Sequence, residues 1–539
     1  MVRRIAAGLW STASASFGEL AVTGVEDGPR PKTGGRDGPM PPKPSLRASF
    51  RPPLGPRPEL DHAPDHLSLI RCSRSATAFI LSAFESGSTL PVQSTGFGRK
   101  PPMLRRISLR TAVTAGLAVA ALAGTTVAAT TASGAPEPSP QPRHTQQVEY
   151  FTGPGGHPRH TTVPAPKPLS RSAKAAIAAG DGDVTPIVQN GPVGDKLDVV
   201  FIGDGYTAAQ QEDFHADVRA KWAKISAVEP YASYAKLFNV WAVDAASHDS
   251  GVSGDPTKDV VRDTALNSAF FCDGTERLLC VDTGKVDAYA AKAPAADLVV
   301  VLSNSTKYGG AGYNDVSSQV GYEGIATASS DNDRSDQIAV HETGHSLGKL
   351  ADEYDYGESG TYSGPEPAQA NLTTLSADQM TAQRQKWYRW LGQESPDGGT
   401  VDAYEGGGYY QYGLNRPTDN SIMRSLGREF NLPGREAMIA AFYRHASVLT
   451  SPIATGRVLH RGDRIRVSPA ASAQVRWYVD GRERKAARGR TAVVPRALGV
   501  PVDGRRHTVT ARATDGTNAV RDPALRKLLS GKLSWRIAP

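Results

Sequence analysis

The stretch Gln337-Ile-Ala-Val-His-Glu-Thr-Gly-His-Ser-Leu-Gly-Lys-Leu-Ala-Asp-Glu-Tyr354 decides how the chain is read. Written as a helix from Gln337, it stacks His341 and His345 one turn apart, because side chains at i and i+4 share a face. Two imidazoles so placed can share one metal ion. Glu342, one residue along, is positioned to act on water beside that ion rather than to bind it. Ile338, Ala339 and Val340 give the helix an apolar, buried side, and Gly348 offers a place for it to stop and turn back. A catalytic zinc usually takes three protein ligands and keeps one position open. The third is therefore sought just after the turn, where Asp352 is the first choice and Glu353 and Asp355 follow.

Outward from this helix, strands alternate with helices. Leu197–Gly203, Phe238–Val243 and 296–302 read as buried strands, 207–227 as an amphipathic helix and 376–393 as another helix, with regular structure starting near 190. This pattern predicts an α/β fold with one mixed sheet across 186–450. After 451 the runs become short and alternating, at 464–467, 474–479 and 507–512, with turns at Asp480-Gly481 and Asp515-Gly516. They predict a small all-β sandwich, immunoglobulin-like, as an accessory domain over 451–539.

The motif HETGHSLGKLADEYDYG at 341–357 resembles the HExxHxxGxLxDEY signature of the bacterial IgA-peptidase family of secreted zinc metallopeptidases. The resemblance runs from about 186 to 447 and takes in NGPVGDKLDVVFIGDGYTAAQ at 190–210, FNVWAVDAASHDSGVS at 238–253, APAADLVVVLSNSTKYGGAG at 293–312 and YGLNRPTDNSIMRS at 412–425. It implies a metzincin-like zinc peptidase domain, a mixed twisted sheet with an active-site helix and a methionine-containing turn. It also implies one zinc per chain on His341, His345 and Asp352, with Glu342 catalytic and Met423 in that turn. The broader metzincin pattern has its third ligand where Ala351 stands here, so the assignment to Asp352 follows the family's own Asp. Among other family-matching residues, Asn304 and Tyr308 are candidates to border the cleft and meet extended substrate, or simply to form a strand-to-loop turn. Tyr354 is a candidate to steady the oxyanion or to pack beside Asp352.

Three cysteines exclude a disulfide-dense scaffold. Cys272 and Cys280, eight residues apart, are expected to pair in an exported protein. The acidic run Asp331–Asp336 raises the option of Ca²⁺, against a solvated loop and helix start. The basic balance is regional. Residues 1–135 hold 16 basic and 8 acidic side chains, 201–450 hold 20 and 34, and 451–539 hold 19 and 6. No nucleic-acid-reading motif accompanies the basic parts, so nucleic acid is not an expected partner. A peptide or protein substrate is, and the basic tail offers contact with anionic cell-wall polymers. The chain is expected to act as a monomer.

Arg105, Arg106 and Arg110 followed by an uncharged Ala/Val/Leu/Gly stretch at 111–129 read as a signal peptide over 103–135, hence secretion. Residues 1–102 are Pro/Gly/Arg/Ser-rich and read as a disordered, mis-called extension ahead of a true start at Met103. Residues 136–185 read as linker or pro-segment. No cysteine lies between 136 and 271 to plug a zinc site, which leaves His157 and His160 as candidates for that task. The reading is a secreted zinc endopeptidase. A secreted binding protein with a structural metal, or a zinc hydrolase of cell-wall amides, are the alternatives.

Overall fold

Leu197–Asp204, Phe238–Val243 and Leu298–Ser303 are buried along their whole length, as strands covered on both faces of a parallel sheet must be. The structure, a computed structural model, describes residues 145–539 apart from 155, 157, 315, 317, 358–359 and 471. The expected leader and the extension before it lie outside the described residues.

The main sheet comprises β1 (Thr145–Phe151), β2 (Pro158–Pro164), β3 (Val184–Val188), β4 (Leu197–Asp204), β5 (Phe238–Val243), β6 (Leu298–Ser303), β7 (Gly310–Tyr313) and β8 (Ile325–Ser329), in the order β2-β1-β7-β8-β6-β4-β5-β3. β5, β4, β6 and β8 run parallel; β3 and the β7, β1, β2 side pair antiparallel. Helices are α1 (Arg171–Ala179), α2 (Gln211–Ile225), α3 (Tyr231–Tyr234), α4 (Thr283–Ala290), α5 (Asp336–Ser346), α6 (Ala377–Gln383) and α7 (Leu432–His445). The two-residue alternation of a strand divides the core. Val199 and Phe201 join α2, α5 and α7, while Val200 and Ile202 join α4 on the other face.

Three expectations change. Regular structure is present well before 190: from Thr145 the described part of the stretch read as linker or pro-segment forms the β1–β2 hairpin, α1 and the start of β3. Its Pro- and Gly-rich flanks hid a strand with few apolar residues, of which Val148 and Phe151 are buried. The helix expected over 376–393 is only α6, because Arg384 turns left-handed at φ 54° and ends it. At the end of α5 the reversal falls on Lys349, at φ 51°, not on Gly348. Gly348 is needed for space, since a Cβ there would lie 2.7 Å from both the Gly344 carbonyl and Met438 Sδ.

β9 (Tyr404–Gly407) and β10 (Tyr410–Arg416) form a hairpin. The rest of the chain contains β11 (Leu449–Thr450), β12 (Val458–Leu459), β13 (Ile465–Arg466), β14 (Ser468–Pro469), β15 (Gln474–Val479), β16 (Arg482–Glu483), β17 (Ala492–Val493), β18 (His507–Thr514) and β19 (Ser530–Ile537). Five of them make one sheet, β12-β19-β18-β15-β16, beside the two-stranded pairs β11-β14 and β13-β17. Trp477 and Trp535 stack in a core continuous with α7. Polar links reinforce the seam: Tyr443 donates to Asp515 at 2.9 Å, and Glu436 accepts the Arg521 and Asp522 amides. No helix among the described residues is long and apolar enough to cross a membrane.

His445, at the end of α7, lies 3.0 Å from Asp297 and 3.5 Å from Glu323, which Lys349 also contacts. Burial pushes its pKa down, but the two carboxylates outweigh burial and carry it up to about 9. Hydrogen bonding to His445 holds Glu323 down at about 2. The imidazolium's contribution is therefore complete below the ordinary histidine pKa and is lost as pH rises through about 9. On the acid side it fades as Glu323 protonates. His445→Gln is expected to cost about 3 kcal/mol near pH 6 and under about 1 kcal/mol near pH 10, read from urea midpoints.

Candidate active site

α5 is held on the sheet by Ile338, Ala339 and Val340, all buried, so its opposite side carries His341 and His345 toward the chain that follows. Each imidazole is locked by its far nitrogen. His341 Nδ1 donates to the Ile422 carbonyl at 2.9 Å and His345 Nδ1 to the Leu350 carbonyl at 2.8 Å. A carbonyl can only accept, so in the neutral ring both Nε2 atoms are left with free lone pairs, the state a metal requires. Those Nε2 atoms lie 2.9 Å apart. Asp352 Oδ1 stands 3.3 Å from one and 3.2 Å from the other, while its Oδ2 accepts the Tyr409 hydroxyl at 2.8 Å.

A fourth donor comes from the N-terminal hairpin. Glu149 Oε1 lies 3.3 Å from His341 Nε2, and Oε2 lies 3.1 Å from His345 Nε2. Donor atoms of Glu149, His341, His345 and Asp352 all fall within 4.8 Å of one another. Glu149 Oε2 and Asp352 Oδ1 are buried with no hydrogen-bond donor. Two buried carboxylates against two imidazoles call for positive charge. Burial alone would lower the His341 pKa, yet Glu149 and Asp352 carry it up to about 10. The same carboxylates raise His345 against its burial. A divalent cation fits this donor set, which has the mixed N/O composition of zinc sites.

Glu342 is buried beside the cluster without belonging to it. Asn314 Nδ2 donates to its Oε2 at 3.0 Å, and its Oε1 has no hydrogen-bond partner. Burial, then the nearby Glu149, pushes its pKa up to about 8. Gly312 in β7 makes room for this carboxylate, since a Cβ there would lie 1.7 Å from Glu342 Oε2.

Met423 is buried in the turn after Ser421 and packs against α5 at Gly344, where a Cβ would come within 2.5 Å of its sulfur. The turn is tied to the loop that carries Asp352: the Glu353 amide donates to the Met423 carbonyl at 2.8 Å, and Ser421 Oγ donates to Glu353 at 2.7 Å. Glu353, the second choice for a ligand, lies outside the converging donors. Asn371 and Asn431 also donate to it, while burial, its largest influence, pushes its pKa up to about 7. Asp355 faces Arg424 at 3.6 Å.

Tyr354 is fully buried, its hydroxyl 3.2 Å from Glu149 Oε1 and 3.4 Å from His160 Nδ1. His160 lies 3.6 Å from Glu149 Oε2, so the residue of the hairpin that enters the cluster is Glu149. His157 lies outside the described residues. Asn304 and Tyr308 are not brought to the cluster. Asn304 donates to the Gly205 carbonyl at 3.0 Å, and Tyr308 packs with Phe151 and Ile338 under Arg277. Asp336 of the acidic run is buried against Lys221. Cys272 and Cys280 are bridged. A cleft of about 470 Å³ opens over the cluster, lined by residues including Glu149, Asn314, His345, Asp352 and Tyr409.

Sequence reasoning missed Glu149 and Tyr409. The one local signal for Glu149 is an acid inside Val-Glu-Tyr-Phe, an apolar run in a polar, Pro-rich segment. Tyr409 sits between β9 and β10 at φ 76°, and the Gly408 amide donates to the Asp352 carbonyl at 2.9 Å.

The model of the family described as IgA Peptidase M64 matches residues 185–399 and 393–442. The chain belongs to this family. Its members are metal-dependent peptidases, and the matched span contains α5, Asp352 and Met423. It excludes the β1–β2 hairpin and the strands after α7. No curated protein sequence matches the chain.

Proposed function

We propose that the protein is an exported zinc endopeptidase of metzincin type, led out by the segment 103–135, with His341, His345 and Asp352 as metal ligands and Glu342 as the proton-transferring residue. The observation that carries this reading is the convergence of two carbonyl-locked imidazoles and the Asp352 Oδ1 at the floor of a cleft. Zinc held there would supply Lewis acidity, lowering the pKa of a bound water to about 7 and polarising the scissile carbonyl.

The chain's own groups do the rest. Tyr409 occupies Asp352 Oδ2 and so leaves Oδ1 for the metal. Asn314 holds Glu342 Oε2, which leaves Oε1 to take the proton of the attacking water and return it to the departing amine. Met423 supports α5 from below, and Glu353 keeps its turn in register with Asp352. The sheet after α7 is read as an accessory β-sandwich whose basic surface suits anionic polymers.

The test is metal analysis of protein recovered from the culture medium, with casein hydrolysis assayed with and without 1,10-phenanthroline. About one zinc per chain and hydrolysis that stops when zinc is stripped are expected. Hydrolysis that survives complete stripping sinks the reading.

A further inference from the structure

Four protein donors around one ion is the pattern of a structural zinc site, whereas a catalytic site keeps a position for water. Here the four-donor set lies under an open cleft with the unpaired Oε1 of Glu342 beside it. The two facts agree if one of the four donors is removable. Glu149 is the donor that lies outside the family-matched span and the only one of the four in the hairpin.

The hairpin also occupies a second place that a substrate needs. In the strand order, β1 and β2 cap the sheet next to β7, so without them β7 would be the edge strand. An edge strand presents unpaired N–H and C=O groups, and an extended peptide can add to it. β1 runs antiparallel to β7, with Glu149 opposite Gly312, the residue that makes room for Glu342. Gln147, Glu149 and His160 line the cleft together with His345 and Asp352. Val148, Phe151 and Val163 anchor the hairpin, and Phe151 sets its ring edge against His341 at 5.0 Å. The chain then crosses 165–170 without regular structure, where Lys167, Pro168 and Ser170 are exposed.

We propose that the β1–β2 hairpin is a built-in blocking strand: β1 occupies the place of an extended peptide on β7, and Glu149 fills the metal position that water needs. The inference rests on the peptidase reading above. Cleavage in 165–170 frees the hairpin to leave, opening the metal and the β7 edge in one event.

Acetohydroxamate, which binds metal through an exchangeable position, tests this on full chains loaded with cobalt in place of zinc, by titration of the visible spectrum. Three proteins are compared: the intact chain, Glu149→Gln, and a chain with a foreign protease site inserted between Lys167 and Pro168, cut and passed over a sizing column. A tethered blocker acts at a high effective concentration, so affinity is expected to rise about 30-fold or more in the variant and in the cut chain. Casein turnover of the zinc form of the cut chain should rise with it. An intact chain that binds acetohydroxamate as tightly as both others overturns the blocking strand. Affinity gained on cutting with no casein turnover at all upholds the strand and sinks the peptidase reading instead.

Discussion

Glu342→Gln is expected to keep about one metal ion per chain and to lower kcat for casein by about 10³–10⁴-fold in the most active form of the protein, the upper part of what a positioned acid–base group contributes. The side chain is not among the converging donors, so its loss of charge does not dismantle the site. Glutamine matches glutamate in shape, and the Asn314 contact at 3.0 Å can persist through its carbonyl oxygen. What changes is the other terminal atom. At Oε1 the enzyme loses a proton acceptor and gains an amide N–H that can only donate. The expected signature is a drop in kcat with zinc content and melting behaviour near those of the parent. Turnover within about threefold of the parent would remove Glu342 from the chemistry.

His345→Ala is the second large effect, and it acts on the metal first. Zinc binding in small structural sites is worth about 10–16 kcal/mol, so one of four donors carries on the order of 3 kcal/mol, a loss of about a hundredfold or more in affinity. The change also leaves Glu149 Oε2 and Asp352 Oδ1 without the imidazole that each now faces at 3.1 and 3.2 Å. Uncompensated charge of that kind is costly when buried. Metal analysis after dialysis should therefore return a chain with little zinc and no measurable casein turnover. The contrast with Glu342→Gln, which loses turnover and keeps zinc, separates the binding role from the proton-transfer role. A His345→Ala chain that keeps a full zinc complement would place the metal elsewhere.

The sequence and the structure agree most closely where the physics is local. His341 and His345 meet because a helix returns to the same face every fourth residue, whatever the helix packs against. β4, β5 and β6 were legible because uninterrupted runs such as Val-Val-Phe-Ile suit a strand covered on both faces. Asp352 was within reach of the same logic, since the turn four residues after His345 leaves few acids to choose from. Boundaries fared worse. Nothing in 376–393 marks Arg384 as left-handed, a conformation that residues other than glycine seldom adopt.

The amino-acid sequence by itself determined the helix that presents the histidines, the acid beside them, the parallel centre of the sheet, and through these the family. Only the tertiary structure decided which carboxylates close the site and which carbonyls aim it. Glu149 is 192 residues before His341, and Ile422 is 81 residues after it, so no local period relates them. Their meeting depends on β1 adding to the β7 edge and on the turn at Ser421–Met423 folding under α5. A strand of ordinary polar composition carries no mark of the edge it will pair with. The sheet's order alone puts its one buried glutamate against the paired histidines of α5.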